Sequence, residues 1–184
     1  FLEAMEEKSV TIDRETFQLP DPFIVIATQN PSDLSGTSLL PESQLDRFMI
    51  SFSLDELTPD EQLNLLKNQN LPSVTRNNNF TFKDSKLNKM ININDNIYKY
   101  IQNIKKFIDS NFPEIHISTR CLKQIVSLAT SLTLLNGKDY LTFQEIKDVI
   151  PYILKHRIKI VEKTKVLDFI NDEILNKVPL PDDK

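Results

Sequence analysis

Glycine is nearly missing: Gly36 and Gly137 are the two in the chain, about a hundred residues apart. A phosphate-cradling loop needs clustered glycines so that backbone N–H groups can approach the phosphates, as in G-x-x-x-x-G-K-[ST] or G-x-G-x-x-G. Neither can be written here, so any nucleotide handled by this chain has its main phosphate grip elsewhere. Cysteine is scarcer still. Cys121 stands alone, which excludes an intrachain disulfide and suits a reducing compartment. The two histidines, His116 and His156, have no cysteine or carboxylate at metal-ligand spacing, so no zinc site is expected. No apolar run approaches the roughly 20 residues that span a bilayer, and no membrane role is expected. The sequence does not open on methionine, and no signal peptide is expected. The opening Phe1-Leu2-Glu3-Ala4-Met5 reads as the middle of an amphipathic helix, so the chain is expected to be a piece of a longer polypeptide.

What is present is the composition of a globular protein. Of 184 residues, 40% are hydrophobic and 26% charged, enough for one full domain or two small ones. The net charge of −4 and pI near 5.3 do not suggest a broad nucleic-acid-binding face.

Along the chain two characters alternate. Val10 and Ile12, then Phe17 and Leu19, flank Asp13-Arg14-Glu15 and predict a hairpin. Phe23 to Ala27 is a continuous apolar run between Pro22 and Pro31, the pattern of a covered parallel strand. Ser32 to Leu40 reads as polar loop. Pro41 suits the first position of a short helix, and Met49 to Leu54 alternates like a strand. From Leu57 the pattern becomes helical. Thr58 and Glu61 form a capping box, as do Thr142 and Glu145. Lys67 to Asn92 is rich in Asn and Lys and predicts loop, with a short helix near Lys86 to Met90.

Ile93, Ile97, Tyr100, Ile101, Ile104, Phe107 and Ile108 form a helical stripe capped by Asn94 or Asp95. Ser118 opens another helix, with Leu122, Ile125, Val126, Ala129, Leu132 and Leu135 inward and Gly137 as its stop. A third carries Ile146, Val149, Ile150, Ile153 and Leu154, with a kink expected at Pro151. The last holds Val166, Leu167, Ile170, Ile174 and Leu175. Residues 1–55 therefore read as the later part of an α/β domain and residues 56–184 as a small helical domain.

Three residues invite a chemical reading. Asn30 ends an apolar strand, where ligands of parallel α/β sheets bind; it also reads as an ordinary turn residue before Pro31. Arg47 reads as a solvated or carboxylate-paired cation, or as a guanidinium aimed across an interface at phosphate. Arg120 lies in the first turn of the Ser118 helix, where a cation opposes the macrodipole. It is offset either by a bound anion or by a carboxylate such as Glu114. The remaining candidates read as structure: Cys121 as a core thiol, His156 on a solvated or helix-end face, and Glu3, Glu6 and Glu7 as a solvated helical face.

The order of short phrases is more specific than any one residue. Leu-Glu-Ala-Met-x-Glu stands at Leu2 to Glu6-Glu7, Val-Thr-Ile at Val10 to Ile12, and Ala-Thr-Gln-Asn-Pro at Ala27 to Pro31. Gly36-Thr37, Leu40-Pro41-Glu42 and Leu45-Asp46-Arg47-Phe48 follow. In this order they resemble the MoxR family of AAA+ ATPases, in the stretch after its Walker B motif. The segment from Ser118 to Ile158 is similar to that family's lid.

The resemblance implies an α/β plus all-α fold: the distal part of an AAA+ P-loop NTPase domain with its pre-sensor 1 hairpin, followed by a helical lid. It implies sensor 1 at Asn30, the arginine finger at Arg47 and sensor 2 at Arg120. The family's Gly-Ala-Ser-Pro-Arg-Ala at sensor 2 stands here as His116-Ile117-Ser118-Thr119-Arg120-Cys121, with only Ser and Arg kept. ATP and Mg2+ would be gripped mainly outside this chain. The intact protein would hydrolyse ATP as a cytoplasmic, hexameric ring and remodel or mature client proteins, with von Willebrand A-domain proteins as partners. The chain alone would be inactive. A magnesium-chelatase-type subunit, a helicase-like motor and a non-enzymatic scaffold are the alternatives.

Overall fold

The computed structural model describes residues 2–29, 40–54, 56–67, 90–158 and 165–181. Its first part begins with the short helix α1, Leu2–Glu7, and a hairpin of β1, Ser9–Ile12, and β2, Glu15–Gln18. The strands are antiparallel, with Ile12 opposite Glu15, so Asp13 and Arg14 alone make the turn. Both have positive φ, 50° and 72°. That is the geometry a two-residue hairpin needs to follow the strand twist, here adopted without Gly or Asn.

The two other expected strands do not form. Phe23 to Ala27 and Met49 to Leu54 form no regular secondary structure, and Ile26 and Leu54 are 85% and 88% exposed. An apolar run becomes a strand only when a neighbour completes its hydrogen-bond ladder, and among the described residues no strand pairs with either run; the Ser51 N–H donates instead to the Tyr152 carbonyl, at 2.9 Å. Between them, Pro41 caps α2, Glu42–Leu45, from just outside the helix.

The helical part is built from local signals that hold. Thr58 and Glu61 exchange hydrogen bonds at the start of α3, Pro59–Lys67, as a capping box does. Helix α4, Asp95–Asn111, is capped by Asn94, whose side chain accepts from the Asn96 N–H at 2.9 Å. Helix α5, Thr119–Leu135, is capped by Ser118, which accepts from the Cys121 N–H at 3.0 Å.

Its other end closes at Gly137, φ 70°, where the N–H groups of Gly137 and Lys138 bond back to Leu134 and Thr133. A left-handed residue at that position suits glycine. Helix α6, Phe143–Leu154, runs through Pro151, and α7, Val166–Phe169, continues into a π-helical turn, Ile170–Leu175.

The core lies among α4, α5, α6 and the α7 segment. Ile97, Ile104 and Ile108 meet Cys121, Ile125 and Ala129, then Ile146, Ile150 and Ile153, then Ile170 and Ile174. Tyr100 packs edge-on against Phe143, ring centres 5.4 Å apart. Leu135, expected inward, is exposed. It follows the helix's last core position, Thr133, and projects past the end of the packed face. The expected helix near Lys86 to Met90 and the loop from Ser32 to Leu40 lie almost wholly outside the described residues.

Candidate functional site

The end of α2 is where the two parts of the chain meet. Asp46 and Arg47 follow its last residue; Asp46 turns onto the start of α5 and the end of α6, and Arg47 onto Glu6 of α1. The Ser118 hydroxyl lies 2.9 and 2.8 Å from the two oxygens of the Asp46 carboxylate and donates to it. The same hydroxyl oxygen accepts from the Cys121 N–H. One serine thus closes a helix end and ties it to a residue from the other part of the chain.

Arg47 and Arg120, seventy-three positions apart, meet at a single carboxylate. Arg47 Nη2 stands 3.0 Å from Glu6 Oε2, and Arg120 donates to Glu6 Oε1. Arg120 Nη1 is also 3.8 Å from Asp46 Oδ2. The anions that offset a cation in the first turn of α5 are therefore Glu6 and Asp46, and not Glu114. Glu6 belongs to an ion-pair cluster, a correction to the solvated acidic face expected of α1. Three guanidiniums, of Arg47, Arg120 and Arg157, face the two carboxylates of Glu6 and Asp46, so the cluster carries one positive charge in excess, and Arg47 Nε is buried without a hydrogen-bond partner. That donor set suits a further anion with several oxygens, such as phosphate.

Beneath this pair lies Arg157, its side chain only 4% exposed. Its Nε is 3.1 Å from Asp46 Oδ1, and Nη2 donates to the backbone carbonyls of Asp46 and Phe48 at 3.0 and 3.2 Å. It also reaches Gln124 Oε1 at 2.7 Å and the Ile153 carbonyl. Gln124 is itself buried, and its amide nitrogen is 3.4 Å from the Asp46 carbonyl.

Of the two settings expected for His156 the helix end holds: it lies just past Leu154, the last residue of α6, and is partly buried rather than solvated. Its Nε2 is 3.1 Å from the Phe48 carbonyl and 2.9 Å from Arg157 Nη1. Burial and the neighbouring Arg157 charge lower its pKa to about 4, against a weaker upward pull from the Phe48 and Leu45 carbonyls and Asp46. At neutral pH the ring is uncharged, so that one nitrogen either donates to Phe48 or accepts from Arg157.

Glu6, Asp46, Gln124, His156 and Arg157 were not singled out from the sequence as site residues. A signal for Arg157 existed. It lies three and four places beyond Leu154 and Ile153, both fully buried, so the core face of α6 continues onto it. A charged residue at such a position is buried only if it is paired.

Asn30 lies outside the described residues, and Gln29 before it is exposed. Among the described residues no group of three or more His, Cys, Asp or Glu side chains could hold a metal ion. None of the described helices is long and apolar enough to cross a membrane.

Two family models match the chain. The "ATPase family associated with various cellular activities (AAA)" matches residues 1–50 and the "AAA lid domain" matches residues 110–177. The uncharacterised protein YeaC of Bacillus subtilis is 33% identical over 98% of this chain and 60% of its own length. The chaperone MoxR1 of Mycobacterium tuberculosis is 29% identical over 96% of this chain and 51% of its own length. A crystal structure of a candidate ATPase from Cytophaga hutchinsonii superposes with a TM-score of 0.71 at 30% identity, over 98% of this chain and 61% of the other. The chain thus spans between half and three fifths of the length of these relatives.

Proposed function

The chain belongs to the MoxR-type AAA+ ATPases, and from that premise we propose that it forms part of a ring that hydrolyses ATP to remodel or mature client proteins. Residues 1–55 would belong to the nucleotide-binding α/β domain and residues 56–184 to the lid. The phosphate-binding loop and the Mg2+ ligands would come from residues outside this chain, and the chain alone would not turn over ATP. A hexameric ring in the cytoplasm, with von Willebrand A-domain partners, fits this reading, and a lone buried thiol suits a reducing compartment.

The observation that carries the proposal is the shared carboxylate of Glu6. Arg47 and Arg120 come from different parts of the chain and converge on one anion. Phosphoryl transfer needs positioning and charge stabilisation more than covalent chemistry, and guanidiniums donate to phosphate oxygens in a planar fork. In this reading Arg120 holds nucleotide from the lid. Arg47 leaves Glu6 to reach the nucleotide of the neighbouring protomer, and Asn30 orients the attacking water.

Mixing two inactive variants of the full-length protein tests it. Arg47→Ala and Asn30→Ala should each form rings and lose turnover, roughly 10³-fold or more for Arg47→Ala. In mixed rings an Arg47→Ala protomer keeps its own Asn30 and receives Arg47 from an Asn30→Ala neighbour, so activity should return. Unchanged turnover in Arg47→Ala rings, or mixed rings that stay silent, would refute the roles assigned.

A further inference from the structure

We propose that Arg157 is a positioning residue that locks the Arg47 segment to the lid, so that the settings of Arg47 and Arg120 cannot vary independently. The proposal rests on the reading above, in which both arginines face nucleotide.

The geometry points to it in three ways. First, Arg157 grips the chain on both sides of Arg47. The carbonyl of Asp46 belongs to the peptide unit leading into Arg47, and the carbonyl of Phe48 lies one residue beyond it. A single Nη2 reaches both. Second, Arg157 Nε holds the same Asp46 carboxylate that accepts from Ser118. Ser118 caps the helix that carries Arg120 two residues later. Asp46 is therefore the common anchor of both functional arginines, and Arg157 is its buried counter-ion. Third, the grip is continued from the lid side: Gln124 on α5 bonds to Arg157 and lies 3.4 Å from the Asp46 carbonyl, and His156 Nε2, just past the end of α6, bonds to the Phe48 carbonyl or to Arg157.

Planar geometry matters here. The guanidinium fork fixes direction as well as distance, whereas an ammonium at the same place would supply charge without a second and third bond in register. A shift of about 1 Å in a positioned group can cost on the order of 10²-fold in rate. A swing of the lid relative to α2 would have to break this cluster or carry Arg47 with it. The same atoms therefore connect lid position to the arginine offered to a neighbour.

The test uses the full-length protein in assembled rings, comparing kcat and thermal midpoint for Arg157→Gln, Arg157→Lys and a core control, Val149→Ala, on the same helix. Arg157→Gln should lower kcat about 10- to 100-fold, and Arg157→Lys, which keeps charge but not the fork, should restore only part of it. Val149→Ala should lower the thermal midpoint while leaving kcat within about twofold of the parent. If Arg157→Gln yields no folded protein, Asp46→Asn takes its place with the same expected loss. Arg47→Ala and Arg120→Ala are measured alongside. If those two retain full turnover, the reading of the site fails. If they lose turnover while Arg157→Gln keeps it, or while Val149→Ala loses as much as Arg157→Gln, the positioning role alone is overturned.

Discussion

Ser118 donates its hydroxyl to both carboxylate oxygens of Asp46, at 2.9 and 2.8 Å, across seventy-two positions of sequence. The same oxygen accepts the Cys121 N–H that would otherwise be an orphan of the helix start. Ser118→Ala therefore removes a cap and a charge-assisted bond together. The cap alone is worth about 1 kcal/mol, and a hydrogen bond to a charged group about 1.5–3 kcal/mol when both are well shielded. Part exposure lowers the second figure. A loss of roughly 1–2 kcal/mol is expected in urea unfolding, with an unchanged m-value. A midpoint equal to that of the parent protein would show that the Asp46 contact contributes nothing.

Glu145 is nearly fully buried, and burial by itself would raise its pKa. Hydrogen bonds from Lys138, from the Thr142 side chain and from the Glu145 and Thr142 backbone outweigh that and hold it at about 2. A depressed carboxylate contributes stability that is complete above its ordinary value of 4.5 and is lost as pH falls through 2. Glu145→Gln should cost roughly 2 kcal/mol at neutral pH, from the capping box and the bond to Lys138. It should also flatten the decline in stability between pH 4.5 and 2. Parallel acid limbs for the two proteins would argue that Glu145 titrates alike in both folded and unfolded chains.

What could be read from the sequence was whatever a few adjacent residues decide. Thr58 with Glu61, Thr142 with Glu145, and Ser118 before its helix are caps whose partners lie within three positions, and all three form. The α4 stripe is legible for the same reason, since one face of a helix is written in a single segment. Phe23 to Ala27 and Met49 to Leu54 are different. Their alternation or apolarity states a preference, but a ladder needs a second segment at the right distance. The site divides likewise. Arg47 and Arg120 could be picked out by resemblance. That Glu6 joins them, and that Arg157 lies beneath, depends on contacts over more than a hundred positions, which no local pattern encodes.

His156 offers a pH test of the buried cluster. Its pKa is about 4 in the folded protein, chiefly through burial and then the Arg157 charge, against an ordinary 6.5. The unfolded chain binds the proton more readily, so this group's contribution is complete above pH 6.5 and is lost as pH falls from 6.5 toward 4. Stability curves should therefore slope downward through that window, and His156→Gln should remove part of the slope. Proton NMR of the ring gives the direct reading. A His156 resonance titrating near 6.5 in the folded protein would contradict a neutral ring packed between Phe48 and Arg157.

Cys121 lies in the first turn of α5 with no exposed surface. Burial pushes its pKa up to about 11, with Arg157 pulling down and Asp46 pushing up. The thiolate is the reactive form, so two barriers act together: almost none is ionised at pH 7.5, and no reagent reaches it without an opening of the core. Labelling with a maleimide should then run at less than about 1% of its rate in the urea-unfolded chain. It should accelerate in Ser118→Ala, whose lost cap loosens the turn that covers the sulfur. Complete labelling of the native protein within the time taken by the unfolded one would place the thiol at the surface. It would also remove the packed α5 start on which the settings of Ser118, Arg120 and Asp46 depend.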